Sequence, residues 1–369
     1  MDGTRSCIKV DLGAIAHNTG LVRQAVGPDT LIMAVIKKNA YGHGIVRMAR
    51  TCVAAGADRL AVAQVDSVSL LREAGIDCDV HLLGPPLAAE MDECVKHGAV
   101  AAITDIETAE ALDDKAAQAG KRVKGHLLVD TGMGRLGPSA GDATELACRV
   151  EALEHVDLEG AFTHFHSSDD TKKCAVQLNA FLDFVERARG RGVEIPILHA
   201  AACGAVWRMP EAFLDMVRVG LCIPGVRNDE GMVDLVTFRP AMTITSTIAF
   251  VKNVPEGSPI SYGNSYITKR PTVVATIPFG YGNGYHFGLT NRGWVGVNGR
   301  KACVLGRVTM DYIMVDVTDI PDVGPGTKAA IIGAPGPTVE ELAQLAEVVA
   351  HEILCSLGQH SPQEIEYTD

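Results

Sequence analysis

Between residues 31 and 221, eight short runs rich in Val, Ile and Leu recur with longer amphipathic stretches between them. Such runs read as strands buried on both faces, and the stretches between them as the crossover helices that parallel pairing requires. They fall at 31–37, 59–63, 80–84, 99–104, 123–130, 158–164, 196–201 and 216–221. Helical spacing marks 66–74, 107–118, 143–154 and 172–189, the last carrying Ala175, Leu178, Phe181, Leu182 and Val185 on one face. Eight strand-and-helix units in about 230 residues fit an α/β fold of the (β/α)8 TIM-like barrel type, whose usual length is ~250. An open doubly wound sheet is the alternative, but no GxGxxG follows the first run.

After about residue 239 the texture changes. Short runs at 242–251, 272–277, 294–297, 302–308, 313–317 and 328–332 are separated by Gly, Pro and Asn, and a helical pair at 338–345 and 351–358 closes the chain. The expected division is a barrel over 1–235 and a C-terminal mainly-β domain over 236–369, with residues 8–10 available to the second as an extra strand. A net charge of −12 repels phosphate backbones and anionic lipid, which argues against nucleic acid and membrane partners. Ten cysteines without a CxxC pair read as reduced thiols, neither a zinc nor a redox centre. Without an apolar leader or a run of ~18 apolar residues, the expected location is the cytoplasm.

Barrel chemistry sits where strands end, so the polar residues there define the site. The first run passes into Ile36-Lys37-Lys38-Asn39-Ala40-Tyr41-Gly42-His43-Gly44. A lysine confined in a barrel mouth near other cations has a lowered pKa and can form a Schiff base with an aldehyde, which is how pyridoxal phosphate is held. Taken alone, Lys37 is more often a solvated loop residue; Lys38 competes with it, but strand alternation sends the two to opposite faces. The glycines of Asp130-Thr131-Gly132-Met133-Gly134-Arg135-Leu136-Gly137 are a weak phosphate signal. Cys203-Gly204 and Gly220-Leu221, after the last two runs, are a better one, with Arg218 facing the interior. His164 and His166, two apart and followed by Asp169 and Asp170, suit a divalent metal with His199 as third ligand, although no fourth group is evident. In the second domain Tyr262, Tyr266, Tyr281 and Tyr285 stand in Gly-rich turns, where ordinary packing is the commoner outcome.

Five ordered segments together resemble the alanine racemase family of pyridoxal-phosphate enzymes over nearly the whole chain. They are 34–44, 129–137, Thr163-His164-Phe165, Met216-Val217-Arg218-Val219-Gly220 and Ser261-Tyr262-Gly263. The resemblance implies Lys37 as the Schiff-base lysine and Tyr262 as a second catalytic base, contributed across a homodimer interface to the other barrel. It implies that Tyr41, the loop at Cys203 and the N–H groups of Gly220 and Leu221 hold the cofactor phosphate, with Arg218 at the pyridine nitrogen. Arg135 falls at the ring-hydroxyl side and His164 beside the ring; Met310 meets the substrate carboxylate, and Arg135, Tyr281 and His351 complete the substrate pocket. Two bases on opposite faces of a planar intermediate invert an α-carbon without turning the substrate. An arginine at the ring nitrogen does not protonate it, which disfavours transamination.

Departures from the family pattern cluster at the same pocket. Leu128 stands where many relatives carry a lysine supporting Arg135, Cys203 replaces a phosphate-binding serine, Pro224 and His351 replace tyrosines, and 285–287 and 360–363 lack expected arginines. An imidazole at 351 leaves more room or polarity for the substrate side chain. The expectation is a pyridoxal-phosphate amino-acid racemase with alanine the default substrate. Its rivals are a racemase for serine or a larger amino acid, a same-fold aldolase or decarboxylase, and a non-catalytic cofactor carrier.

Overall fold

The computed structural model of the chain describes residues 5–227, 235–360 and 365–369. The chain begins with β1 (Ser6–Asp11), which pairs far along the sequence, and then enters the barrel through the helix Leu12–Val26. Asp11 caps that helix by accepting the Ala14 N–H at 2.8 Å. β2 (Leu31–Val35), β3 (Arg59–Val62) and β4 (Val80–Leu82) lie parallel in one sheet, and β5 (Ala101–Ile103), β6 (Val123–Leu128), β7 (Val156–Phe162) and β8 (Ile197–His199) form another. β9 (Met216–Val219) returns to the free side of β2. Parallel bridges His81↔Val100 and Ala202↔Arg218 join the two four-stranded sheets at both edges, so eight strands close on themselves.

All eight expected barrel strands are present, but most end earlier than the apolar runs suggested. Polar residues such as Lys37, Asp130 and His164 lie beyond the last ladder bond, because their side chains serve the mouth rather than the wall. Arg218 and His199 sit within strands. Helices Val65–Glu73, Ile106–Ala119, Ala143–Glu151 and Thr171–Gly190 match the expected amphipathic stretches. Asp170 caps the last by accepting the Lys172 and Lys173 N–H groups.

The C-terminal half contains β10 (Met242–Thr247), β11 (Phe250–Val254), β12 (Pro259–Ile260), β13 (Tyr266–Ile267), β14 (Thr272–Ile277), β15 (Trp294–Val297), β16 (Arg300–Cys303), β17 (Ile313–Asp316), β18 (Lys328–Ile332) and β19 (Ile365–Thr368). Six strands form one sheet in the order β16-β15-β18-β10-β1-β19, and β11-β14-β17 form a second. Here β1 joins the β half, antiparallel to β10 and parallel to β19. The run 242–251 is two strands, not one: the chain turns at Ile248-Ala249 and crosses between sheets, so one apolar run serves both. The strand expected at 302–308 occupies 300–303 instead, since Val304 keeps a single bridge to Val315 before the chain leaves. Among the described residues no helix is long and apolar enough to cross a membrane.

The two closing helices are Val339–Ala346, started by a Thr338/Glu341 capping box, and Ala350–His360. The second lies directly on the turn after β2. Gly42 and Gly358 meet back to back, and a Cβ on either would overlap the backbone of the other. Gly358→Ala is therefore expected to destabilise the protein by about 1–3 kcal/mol through overpacking. Gly20→Ala, inside a helix with nothing near its added methyl, should stabilise by about 0.5–1 kcal/mol. Urea denaturation of both variants beside the parent checks the contrast.

Candidate active site

The mouth of the barrel holds a cavity of about 220 Å³. Among the residues singled out in the sequence, Lys37, Tyr41, Leu128, Arg135, His164, Phe165, Cys203, Arg218, Gly220, Leu221 and His351 line it. Phe162, Ser168 and Leu83 line it as well.

Lys37 reaches the cavity through an unusual piece of backbone. Lys38, Asn39, Ala40 and Tyr41 all have φ of 53–54°, a left-handed turn. Lys37 thereby faces the cavity, while Lys38 is exposed and donates to Gln64 at 3.2 Å. The sequence argument separated these lysines by strand alternation; that reason is corrected here, since β2 has already ended and the turn does the sorting. Burial lowers the Lys37 pKa, with the Arg135 charge adding to it.

His43 secures the turn. Buried at 1% exposure, its Nδ1 lies 3.0 Å from the Ala40 carbonyl and 3.1 Å from that of Tyr41, so one ring N–H is shared between two carbonyls of the left-handed turn. Burial pulls its pKa down to about 4. Asn39 adds a side-chain bond, accepting the Ile45 N–H at 2.9 Å. His43 belonged to the first quoted motif without a role assigned to it; a histidine beside two glycines carried the signal, but only the fold reveals the carbonyls.

At the opposite wall Arg218 is 3% exposed and donates to the carbonyls of Thr163 (2.6 Å), His199 (2.9 Å) and Ala200 (3.0 Å). It also reaches His199 Nδ1 at 2.9 Å. Burial lowers its pKa to about 9, still above neutrality, so the guanidinium stays charged at neutral pH. From it a chain of bonds crosses the barrel interior: His199 Nε2 to His126 Nδ1 at 2.8 Å, then His126 Nε2 to Glu159 at 3.1 Å. Arg218 can only donate, which assigns the proton of each histidine to Nε2 and ends the chain on a carboxylate that can only accept. Glu159 also receives Arg59 and Lys124. His81, His126 and Glu159 were missed by the sequence reading. Each is polar within an apolar strand, and that is the signal that marks them.

The metal constellation drawn from the sequence is not assembled. His164 lines the cavity, where burial and then the Arg218 charge lower its pKa to about 3. His166 lies outside with its Nδ1 2.8 Å from Ser167 Oγ, and Asp170 caps a helix. β7 ends at Phe162, so i, i+2 alternation no longer applies at 164 and 166. The Gly-rich turn after β6 is likewise corrected: its N–H groups at Gly132 and Gly134 bind the Asp130 carboxylate. Those bonds hold the Asp130 pKa down although partial burial opposes them.

Tyr262, Tyr281 and Met310 do not reach the cavity of their own chain. They are 69%, 43% and 55% exposed. Tyr262 rides the turn between β12 and β13, tied down by Ser261 Oγ donating to the Arg307 carbonyl at 2.7 Å. The Tyr281 and Gly282 N–H groups bond the Thr309 and Met310 carbonyls, at 2.9 Å each, which zips those two loops together. Leu128 packs with Ala102, Phe162 and Leu136, an apolar cluster at the position where many relatives carry a lysine. Pro224 is buried, and its carbonyl accepts the Ala241 N–H at 2.9 Å. The segment 361–363 lies outside the described residues.

The donor set suits pyridoxal phosphate. Lys37 provides an amine, and Lys37, Arg135 and Arg218 make the cavity cationic. Gly220 forms a floor where a Cβ would collide with the Tyr41 hydroxyl, and its N–H, donating to Cys203 Sγ at 3.1 Å, points to the same end of the cavity. A barrel with an amine of lowered pKa at one wall, a buried arginine at the other and a glycine floor between them defines the barrel class of pyridoxal-phosphate enzymes.

Residues 10–228 match the alanine racemase N-terminal domain and residues 241–365 the alanine racemase C-terminal domain. Alanine racemases of Halothermothrix orenii and Desulfovibrio desulfuricans are each 36% identical, over 96% of this chain and 95% and 96% of the relative. The crystal structure of alanine racemase from D-cycloserine-producing Streptomyces lavendulae superimposes with a TM-score of 0.94 at 32% identity, covering 100% of this chain and 98% of that one. That of alanine racemase from Bacillus anthracis with bound L-Ala-P gives 0.89 at 30% identity, covering 96% and 92%. The chain belongs to the alanine racemase family.

A histidine held neutral by burial makes stability pH-dependent. The pKa of His43 is depressed on folding, so the stability it permits is complete above its unfolded value near 6.5 and is lost as pH falls toward 4. The protein should lose about 3 kcal/mol between pH 7 and pH 4 from this group alone. Denaturant melts across that range should show a shallower fall for His43→Gln, which keeps a donor but does not titrate.

Proposed function

We propose that this protein is a pyridoxal-phosphate-dependent alanine racemase, an isomerase that interconverts L- and D-alanine with two bases and works as a homodimer with shared sites. The observation that carries this reading is the division of the machinery: Lys37 lies in a cationic cavity, while Tyr262 is exposed on the β half of the same chain. A second copy that docks Tyr262 over the first copy's cavity supplies the missing face. The exposed group of Tyr262, Tyr281, Phe287, Met310 and Tyr312 is apolar enough to be covered by such contact. Ten unpaired cysteines fit a reducing, cytoplasmic setting.

Bound pyridoxal phosphate supplies an aldehyde that takes up the substrate amine and a ring that accepts the electron pair released at the α-carbon. Lys37 Nζ, its pKa lowered by burial and Arg135, takes or returns the α-proton on one face. The Tyr262 phenol does the same on the other. Tyr41, Cys203, Gly220 and Leu221 would hold the phosphate, His164 would pack beside the ring, and Arg218, which does not give up a proton, would serve the ring nitrogen. Arg135 and Met310 orient the substrate carboxylate, and Tyr281 and His351 bound its side chain.

A second reading, turnover of serine or a larger amino acid, is favoured by His351, whose ring lies 5.9 Å from that of Tyr41 at the cavity edge. Incubation with L-alanine, L-serine and larger L-amino acids in deuterated water separates these. Alanine should gain α-deuterium with inversion; deuterium without inversion would remove Tyr262 from its role. Lys37→Ala should abolish the reaction and Tyr262→Phe should slow it by about 10²- to 10⁴-fold. Equal mixtures of the two inactive variants, unfolded and reassembled together, should regain about a quarter of parental activity, since half the dimers are mixed and each mixed dimer holds one intact site. Mixtures as inactive as their components would refute the shared site.

A further inference from the structure

The phosphate end of the cavity contains a second chemistry that racemisation does not use. Cys203 and Cys222 follow adjacent barrel strands, β8 and β9, which the Ala202↔Arg218 bridge holds side by side. Their sulfurs lie 3.1 Å apart. A disulfide needs an S–S distance near 2.05 Å, so about 1 Å of closure joins them. The two differ in access: Cys203 lines the cavity at 4% exposure, and Cys222 sits behind it at 0%. The Gly220 N–H, on the cavity floor, donates to Cys203 Sγ at 3.1 Å.

We infer that Cys203 and Cys222 form a reversible dithiol–disulfide pair, oxidised in the cofactor-free protein by small-molecule disulfides that enter the cavity, whose closure weakens the hold on the cofactor phosphate. This rests on the reading that the phosphate binds at Cys203, Gly220 and Leu221. Cys203 is the attacking sulfur. A hydrogen bond from Cys222 and the Gly220 N–H favour its thiolate, whereas burial pushes the Cys222 thiol up. The Cys203 thiolate attacks one sulfur of R–S–S–R and expels RS⁻, leaving a mixed disulfide. Cys222 then gives its proton to an expelled thiolate and attacks Cys203 Sγ, releasing the second RS⁻. Two cysteine thiols lose two electrons and two protons, and one small disulfide becomes two thiols. Closure consumes the Cys203 thiol, the hydrogen-bond donor that this reading gives to the cofactor phosphate. Conversely, a bound phosphate covers Cys203 and should protect it.

The test uses the full-length protein with oxidised glutathione, with and without bound pyridoxal phosphate, followed by alkylation and non-reducing peptide mapping. Expected is a linked peptide joining Cys203 to Cys222 that forms readily in the cofactor-free protein, is suppressed by pyridoxal phosphate and disappears with dithiothreitol. The oxidised protein should bind pyridoxal phosphate more weakly, on the order of tenfold, as expected for one lost hydrogen bond to a charged group. Binding of pyridoxal, which lacks the phosphate, should change little. Cys222→Ala should bind pyridoxal phosphate as the reduced parent does and, lacking the resolving thiol, should stop at a glutathione adduct on Cys203 with no linked peptide. The inference is overturned if exposed Cys303 is glutathionylated while 203 and 222 both remain alkylatable, or if the linked protein binds the cofactor as tightly as before. Reduced protein that binds pyridoxal as well as pyridoxal phosphate would instead overturn the phosphate reading, whatever the peptide map shows.

Discussion

Everything at the site hangs on the left-handed turn from Lys38 to Tyr41. For residues with a Cβ that conformation costs roughly 1–2 kcal/mol each, so four in succession persist only because the surroundings over-determine them. His43 bonds two of the carbonyls from below, Asn39 ties the turn to the next helix, and Gly358 presses against Gly42 from the C-terminal half. In return, one reversal of the chain delivers both Lys37 and Tyr41 to the cavity. A right-handed turn would send Tyr41 elsewhere and leave the glycine floor without its hydroxyl.

Electrostatics distributes the remaining constraints. Three cationic side chains face one small cavity, and the described carboxylates lie away from it. The Arg218 charge is met by three carbonyl oxygens and, at a distance, by Glu159 through two neutral histidines. Such a chain satisfies a buried guanidinium without setting an anion beside it, which preserves the pocket's attraction for phosphate and carboxylate. Arg59 and Lys124 hold Glu159 at the far end of the barrel, so the opposite charges stay apart.

Much of this was legible in the residues. Runs of Val, Ile and Leu with crossover helices can bury both faces of a parallel sheet in few ways, so the barrel followed from periodicity. The lysine, the arginines and the glycine pairs at the strand ends came from the same count. Element ends were less visible, because the strands stop where side chains turn to the mouth, and apolar runs continue past that point. β19, four residues of alternating burial, is too short to announce itself, yet it completes the sheet beside β1. The pairing of His164 with His166 failed for the same reason that the lysine argument reached a sound end by the wrong route: alternation holds only while the chain is extended.

The sequence by itself determined the class of fold and the kinds of side chain available at the mouth, because periodicity and residue chemistry are local properties. It could not decide which of them meet. The contact of Gly42 with Gly358, the histidine chain from Arg218 to Glu159 and the approach of Cys203 to Cys222 join residues 19 to more than 300 positions apart. Only closure of the barrel and docking of the β half bring such groups within hydrogen-bonding distance, and at that range a shift of 1 Å decides whether an interaction exists.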